Sequence, residues 1–235
     1  MDKIYYELGH LYLNKSDKIN AVSAFKLAQE LNPENPYYNN SLAYAYIKAE
    51  LYDDAIEYYQ LAIKLNPDAE WTSIVCHALG AIYAEVKNNF DAAEATFNAG
   101  MVLDPKNVDI QLSLGDLYMA QGDLDKAIKT YCDAISVEPE NYLTYAKTGL
   151  ALWEKDYLEE AIVAFHKSIE LNPEFEIAQN NLGVVYLDGI GDPKESIEYF
   201  KNAININPNY TLAYFNLGRA YQATGDKALA AEYYQ

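Results

Sequence analysis

A period of 34 residues constrains this chain more than any other feature. The stretch 108–141, VDIQLSLGDLYMAQGDLDKAIKTYCDAISVEPEN, recurs before and after itself with small edits. Self-similarity at that spacing selects a stack of like units over a globule with one central core. Within the stretch, two apolar-periodic segments, 110–120 and 124–136, are joined by Gln121-Gly122-Asp123 and closed by Pro139. Two such segments around a short glycine turn predict a helical hairpin, with proline stopping the second helix.

Aligned on this pattern, the units begin near Asp2, Pro36, Ser73, Val108, Tyr142, Glu176 and Thr211. The expected division is one solenoid over 1–235 with repeats 2–35, 36–69, 73–107 (after an insertion at 70–72), 108–141, 142–175, 176–210 and an incomplete 211–235. In the first helix a leading residue precedes a small one: Leu8-Gly9, Leu42-Ala43, Leu79-Gly80, Leu114-Gly115, Thr148-Gly149, Leu182-Gly183 and Leu217-Gly218. Tyrosine follows the small residue by three in every unit but the fifth, where Leu152 stands. In the second helix a small residue precedes an aromatic by four, as in Ala21 and Phe25, Ala127 and Tyr131, or Ser196 and Phe200. Small residues where antiparallel helices cross let the backbones approach, and an aromatic fills the space beside the crossing. Each helix spans only about three turns and would be marginal alone in water, so the hairpins must draw stability from stacking.

This pattern, LGxxY, then a small residue, then an aromatic four later, then proline, resembles the tetratricopeptide repeat over essentially the whole chain. The resemblance implies an all-α fold: a right-handed superhelical solenoid of antiparallel helix pairs, with the first helices lining a concave groove. Unit six, with Leu182-Gly183, Tyr186, Gly189, Gly191 and Tyr199-Phe200, also resembles the related Sel1-type repeat.

The period is broken twice. Pro105 follows Pro67 by 38 residues. Three extra residues fall around Asp68-Ala69-Glu70-Trp71, where a lengthened first helix would absorb them, and one in the turn near Asn88-Asn89. Trp71 is then expected to pack on the preceding second helix. Unit six has one extra residue in its turn, within Leu187-Asp188-Gly189-Ile190-Gly191-Asp192-Pro193. The chain stops inside the second helix of unit seven, leaving an apolar face that another helix would cover, which suggests a fragment of a longer chain or self-association through uncapped ends.

Charge and composition exclude several functions. With 17 Lys and Arg against 35 Asp and Glu, the formal charge is −18, opposing tight binding to nucleic-acid phosphates. The excess acid is read as a solvated, mutually repelling surface. Cys76 and Cys132 form neither a CxxC pair nor a framework, and are expected to be buried thiols in a reducing compartment, with no disulfide and no metal. The N-terminus enters a helix without the basic and apolar regions of a signal peptide, and no 18-residue apolar run occurs. The chain is expected to be cytoplasmic with no membrane insertion. His10, His77 and His166 lie in separate units, and neither HExxH nor a glycine-rich phosphate loop is present. No catalytic site and no cofactor are expected.

The remaining candidate is the groove. By resemblance, the family binds extended or helical peptides with first-helix residues, and those positions carry six acids against four bases. The candidate contact residues are Asn40, Tyr44, His77, Leu112, Met119, Lys147, Leu150, Trp153, Asn180, Asn181, Val184, Phe215, Asn216 and Arg219. Leu112, Met119, Leu150, Trp153, Val184, Leu187 and Phe215 give the face apolar character that hairpin packing does not require, and an apolar concavity predicts a binding surface. Of the clamp that holds carboxylates in chaperone-binding members, only Asn181 stands at a matching position, so chaperone-tail binding is disfavoured. Asn181 and Asn216 occupy equivalent places in successive units and resemble the asparagine ladder by which some solenoids hold a peptide backbone. The function read from the sequence is a non-catalytic scaffold or adaptor for another protein or peptide. The alternatives are a targeting or regulatory region of a larger enzyme, such as a glycosyltransferase or kinase, and a self-assembling scaffold.

Overall fold

The computed structural model describes residues 1–65 and 68–234. Pro67 and Gln235, both used in the sequence pattern, lie outside the described residues. Fourteen α-helices run through the described residues, and no strand occurs among them. In order they are α1 (Asp2–Asn14), α2 (Lys18–Leu31), α3 (Pro36–Lys48), α4 (Tyr52–Leu65), α5 (Ala69–Ala81), α6 (Phe90–Leu103), α7 (Val108–Gln121), α8 (Leu124–Val137), α9 (Tyr142–Glu154), α10 (Leu158–Leu171), α11 (Glu176–Val184), α12 (Pro193–Ile206), α13 (Thr211–Thr224) and α14 (Lys227–Tyr233). Two π-helical turns, Ile82–Val86 and Val185–Ile190, continue α5 and α11. The helices divide into two compact units, Met1–Leu117 and Tyr118–Gln235.

The glycine and the aromatic of the sequence pattern meet within five of the hairpins. A Cβ on Gly9 would lie 2.6 Å from the Phe25 ring, one on Gly80 2.4 Å from Phe97, and one on Gly183 2.6 Å from Phe200. Gly149 faces Phe165 and Gly218 faces Tyr234 in the same way. Phe25, Phe165 and Phe200 are fully buried. The ring thus sits directly on the glycine backbone of the first helix. Hydrophobic clusters continue this packing: Phe25, Leu42, Tyr59 and Leu79 in the first unit; Phe165 with Leu182, and Phe200 with Leu217, in the second.

The turns explain where the irregular residues went. In α1 to α2, the Asp17 amide donates to the Tyr12 carbonyl, five residues back; Leu51 to Tyr46, Asp123 to Tyr118, Tyr157 to Leu152 and Asp226 to Tyr221 repeat this closure. It is the six-to-one bond of a Schellman-type helix end. In the two irregular hairpins, Asn89 donates to Tyr83 and Asp192 to Tyr186, six residues back. The sequence placed each extra residue in the turn; it lies instead inside the first helix, as a π-helical turn. A one-residue insertion costs a helix one wider hydrogen-bonded ring there, while the connection keeps its length.

The three residues added before unit three lengthen the first helix, as expected: α5 begins ten residues before Leu79, whereas α3 begins six before Leu42. Asp68 caps it by accepting from the Trp71 amide. Trp71 packs edge-on against Tyr37 of α3, ring centroids 4.9 Å apart. Its aromatic partner is on the preceding first helix, and it also packs on the cluster that includes Tyr59 and Ala62 of the preceding second helix. Asp17, Asn89, Asp123, Asp192 and Asp226 cap second helices through their side chains, and Asp53-Asp54 and Glu159-Glu160 fill first turns, where carboxylates meet the positive helix end. Cys76 is buried as expected, but Cys132 is exposed.

Candidate functional site

Polar side chains link consecutive first helices in one register. The residue two before the leading position of one unit meets the residue one before it in the next. Ser41 Oγ donates to Tyr6 Oη at 3.4 Å, His77 Nε2 and Ser113 Oγ lie 2.8 Å apart, and Asn216 Nδ2 donates to Asn180 Oδ1 at 2.9 Å. The asparagine bond between these two first helices therefore joins Asn216 to Asn180 and leaves Asn181 outside it. Asn180 and Asn216 are 1% and 3% exposed, so their amides join helices. A buried amide left unpaired costs on the order of 1 to 3 kcal/mol, which makes these mutual bonds obligatory.

The second unit extends this pair into a directional chain. Arg219 donates from Nη2 to Asp188 Oδ1 at 2.8 Å and from Nη1 to Asn216 Oδ1 at 3.4 Å. Asn180 Nδ2 then donates to Asn181 Oδ1 at 3.3 Å. The amide oxygens of Asn216, Asn180 and Asn181 each accept one of these bonds, each bond polarising the next. Asn181 is half-exposed at the end, and no described residue accepts from its amide. What this arrangement offers a ligand is an oriented N–H donor.

The other predicted residues sit as follows. Asn40, His77, Met119, Lys147, Trp153, Val184 and Arg219 are half-buried, and Leu112 is buried. Tyr44, Leu150 and Phe215 are exposed at 43%, 37% and 52%. Much of the apolar character expected of the groove is consumed by packing. Trp153 lies 2.6 Å from the point a Cβ on Gly189 would occupy. Val184 and Leu187 pack on the cluster of Ile197, Phe200, Leu217 and Ala220. His77 is held below the ordinary imidazole pKa by burial, against an upward pull from Asp109 and Glu85. Among the described residues no three His, Cys, Asp or Glu side chains group as a metal site, and no helix is long and apolar enough to cross a membrane.

Comparison with known proteins gives the family. A tetratricopeptide repeat model matches residues 6–70 and another 144–175, and a TPR repeat model matches 115–156 and 190–225. The crystal structure of MamA shares 30% identity, with this chain covering 90% of it and the match covering 66% of this chain at a TM-score of 0.59. The chain belongs to the tetratricopeptide repeat family. A tetratricopeptide repeat protein from Parabacteroides merdae superposes over 99% of this chain and 90% of its own at a TM-score of 0.78 and 15% identity, which shows the shared fold. The peroxisomal targeting signal receptor of Candida albicans is 29% identical over 205 residues, 83% of this chain and 33% of the receptor. The chain thus spans about a third of that relative's length.

Within these repeats one position of the first-helix groove face, read from the sequence but left out of the candidate contact residues, is apolar and exposed. Five residues before the leading position in the first unit stand Tyr37, in the first turn of α3, and Ile74, one turn into the lengthened α5, 46% and 56% exposed. Leu143, Ile177 and Leu212 stand there in the second, 37%, 41% and 50% exposed. In the second unit α11 neighbours both α9 and α13, so the three aliphatic side chains stand in a row at one register of successive first helices, with Phe215 one turn on from Leu212. The signal was available: an apolar residue recurring at one offset with no hairpin partner to bury it.

Proposed function

We propose that this chain is a non-catalytic binding module whose second unit holds an extended segment of a partner protein across α9, α11 and α13. Asn181 supplies the main-chain contact, its amide hydrogens donating to a carbonyl of the bound segment. Leu143, Ile177, Leu212 and Phe215 supply the apolar contacts. The observation that carries this reading is the hydrogen-bond chain from Asp188 to Asn181, which leaves its last donor unused beside an exposed aliphatic row. An extended segment presents carbonyls and side chains alternately, the pattern such a face can meet. The likeness to a receptor for a targeting signal supports protein or peptide as the ligand class. The glycines of the unit 176–210 support its Sel1-like character: Gly189 admits Trp153, and Gly191 takes a positive φ of 75°. Free thiols at Cys76 and Cys132 fit a cytoplasmic setting.

A peptide selected from a displayed random library on the full chain, measured by fluorescence anisotropy, tests the assignment. Asn181→Ala and Leu212→Asp are each expected to weaken it at least tenfold. Unchanged affinity in both variants contradicts it.

A further inference from the structure

The exposed row of the second unit sets a length. Leu143, Ile177 and Leu212 stand at one register of α9, α11 and α13, and all three are exposed. The helices that carry them touch: Asn216 Nδ2 on α13 donates to Asn180 Oδ1 on α11 at 2.9 Å, and α9 neighbours α11. Helices in direct contact have axes about 8 to 10 Å apart. A segment crossing the three therefore meets one aliphatic side chain about every 8 to 10 Å.

Each backbone conformation returns a side chain to one edge at its own interval. A β-strand does so every second residue, at about 6.7 Å and next at about 13 Å, and neither interval fits. An α-helix does so after two turns, at about 10.5 Å. Polyproline II does so every third residue, at about 9.3 Å. Spacing alone leaves the last two.

The donor at Asn181 separates them. Its amide ends the series of bonds through Arg219, Asn216 and Asn180 and has no acceptor among the described residues. Asn181 also follows Ile177 by four residues on α11, one turn along the same face, so a segment lying on Ile177 passes it. A helical ligand has already bonded its carbonyls internally, except for those of its last turn. Polyproline II makes no internal hydrogen bonds and leaves every carbonyl open to such a donor. At the α13 end, the exposed Phe215 ring lies 5.8 Å from that of Tyr234, an aromatic surface of the kind on which proline-rich segments dock. A stiff segment also loses little conformational freedom on binding, which suits a face offering side chains rather than deep pockets.

We infer that the second unit selects a polyproline II segment with an apolar residue at every third position. This rests on the peptide reading above and specifies the conformation and sequence period of the bound segment.

Fluorescence anisotropy on the full chain tests it with three labelled peptides. The first, N-acetyl-Leu-Gln-Pro-Leu-Gln-Pro-Leu-Gln-Pro-amide, has leucine at every third position. The second, N-acetyl-Leu-Pro-Leu-Gln-Leu-Pro-Gln-Pro-Gln-amide, has the same composition with leucine at every second position. The third, N-acetyl-(Leu-Glu-Ala-Ala-Ala-Lys-Ala)3-amide, is helical and presents leucine at every second turn. The first is expected to bind at least tenfold tighter than either of the others, and to shift the Asn181 side-chain amide signal in nuclear magnetic resonance. Ile177→Asp and Leu143→Asp, at exposed positions and checked for unchanged thermal melting, should each remove most of that preference. Equal or tighter binding of the second or third peptide, or undiminished affinity for the first in both variants, would overturn the inference. So would the absence of saturable binding by all three. In each of these cases a library-selected peptide whose affinity depends on Asn181 would still uphold the peptide reading itself.

Discussion

The hairpins 69–103 and 176–206 carry the same irregularity and use it differently. Each has one extra residue before the connection, absorbed in a π-helical turn, and the earlier hairpin has three more at the start of its first helix. In the earlier hairpin the position seven after the leading leucine is Val86, 39% exposed, and the turn ends with Lys87 paired to Asp53 of the preceding second helix. Lys155 pairs with Asp125 at the same places in a hairpin of regular length, so the insertion leaves that contact unchanged. In the later hairpin the equivalent of Val86 is Gly189, which admits the Trp153 ring, and its neighbour Asp188 receives Arg219. The wider turn is a backbone solution common to both; the contacts it makes depend on the residues placed there.

The largest effect should be the same in both. Phe97→Ala and Phe200→Ala each remove a buried ring seated on a glycine, and each is expected to cost about 3 to 5 kcal/mol by urea unfolding. A cost confined to one would show that the hairpins are not packed alike. Next, Gly189→Ala introduces a methyl that meets the Trp153 ring at 2.6 Å, an overpacking cost of about 1 to 3 kcal/mol. Val86→Ala, at an exposed position, should stay within about 0.5 kcal/mol. Equal effects would erase the distinction between the two turns.

Smaller still is the effect of the left-handed residue that follows each turn. Asn88 holds φ of 50° and Gly191 φ of 75° at equivalent positions. Asn88→Gly should raise the melting temperature slightly and Gly191→Ala should lower it, each by roughly 1 kcal/mol or less. The last contrast is in acid response. His77 and Asn180 hold equivalent ladder positions, but only His77 titrates. Its folded pKa lies below the ordinary 6.5, so the unfolded chain takes the proton first as pH falls. Stability present above pH 6.5 is therefore lost as pH drops from there through the folded value. His77→Asn should flatten that decline in denaturation midpoints measured between pH 7 and 5.5, and Asn180→His should steepen it.

The repeat pattern made the hairpins legible because glycine, aromatic and proline each have one packing role that does not change from unit to unit. The insertions were visible as a count, but a count cannot say whether a residue joins the turn or widens a helix, since both restore the period. Asn180 and Asn181 are adjacent in sequence and both faced the groove on the helical pattern. Only the offset between successive first helices decides which of them meets Asn216. Trp153 and Leu187 similarly read as groove residues until Gly189 and the core around Phe200 occupied them. Conversely, Leu143, Ile177 and Leu212 fall on the first-helix groove face in the sequence pattern, and it is their exposure that the structure adds.

The central claim is that the first-helix face of the second unit receives the partner. A photo-crosslinking residue placed at Asn181, with the same residue at Val163 as a control on an exposed position of α10, tests it directly in the presence of a binding peptide. Crosslinks from position 181 mapped to one continuous peptide segment, with position 163 silent, are the predicted result. Crosslinks from position 163 alone, or equally from both, would contradict it.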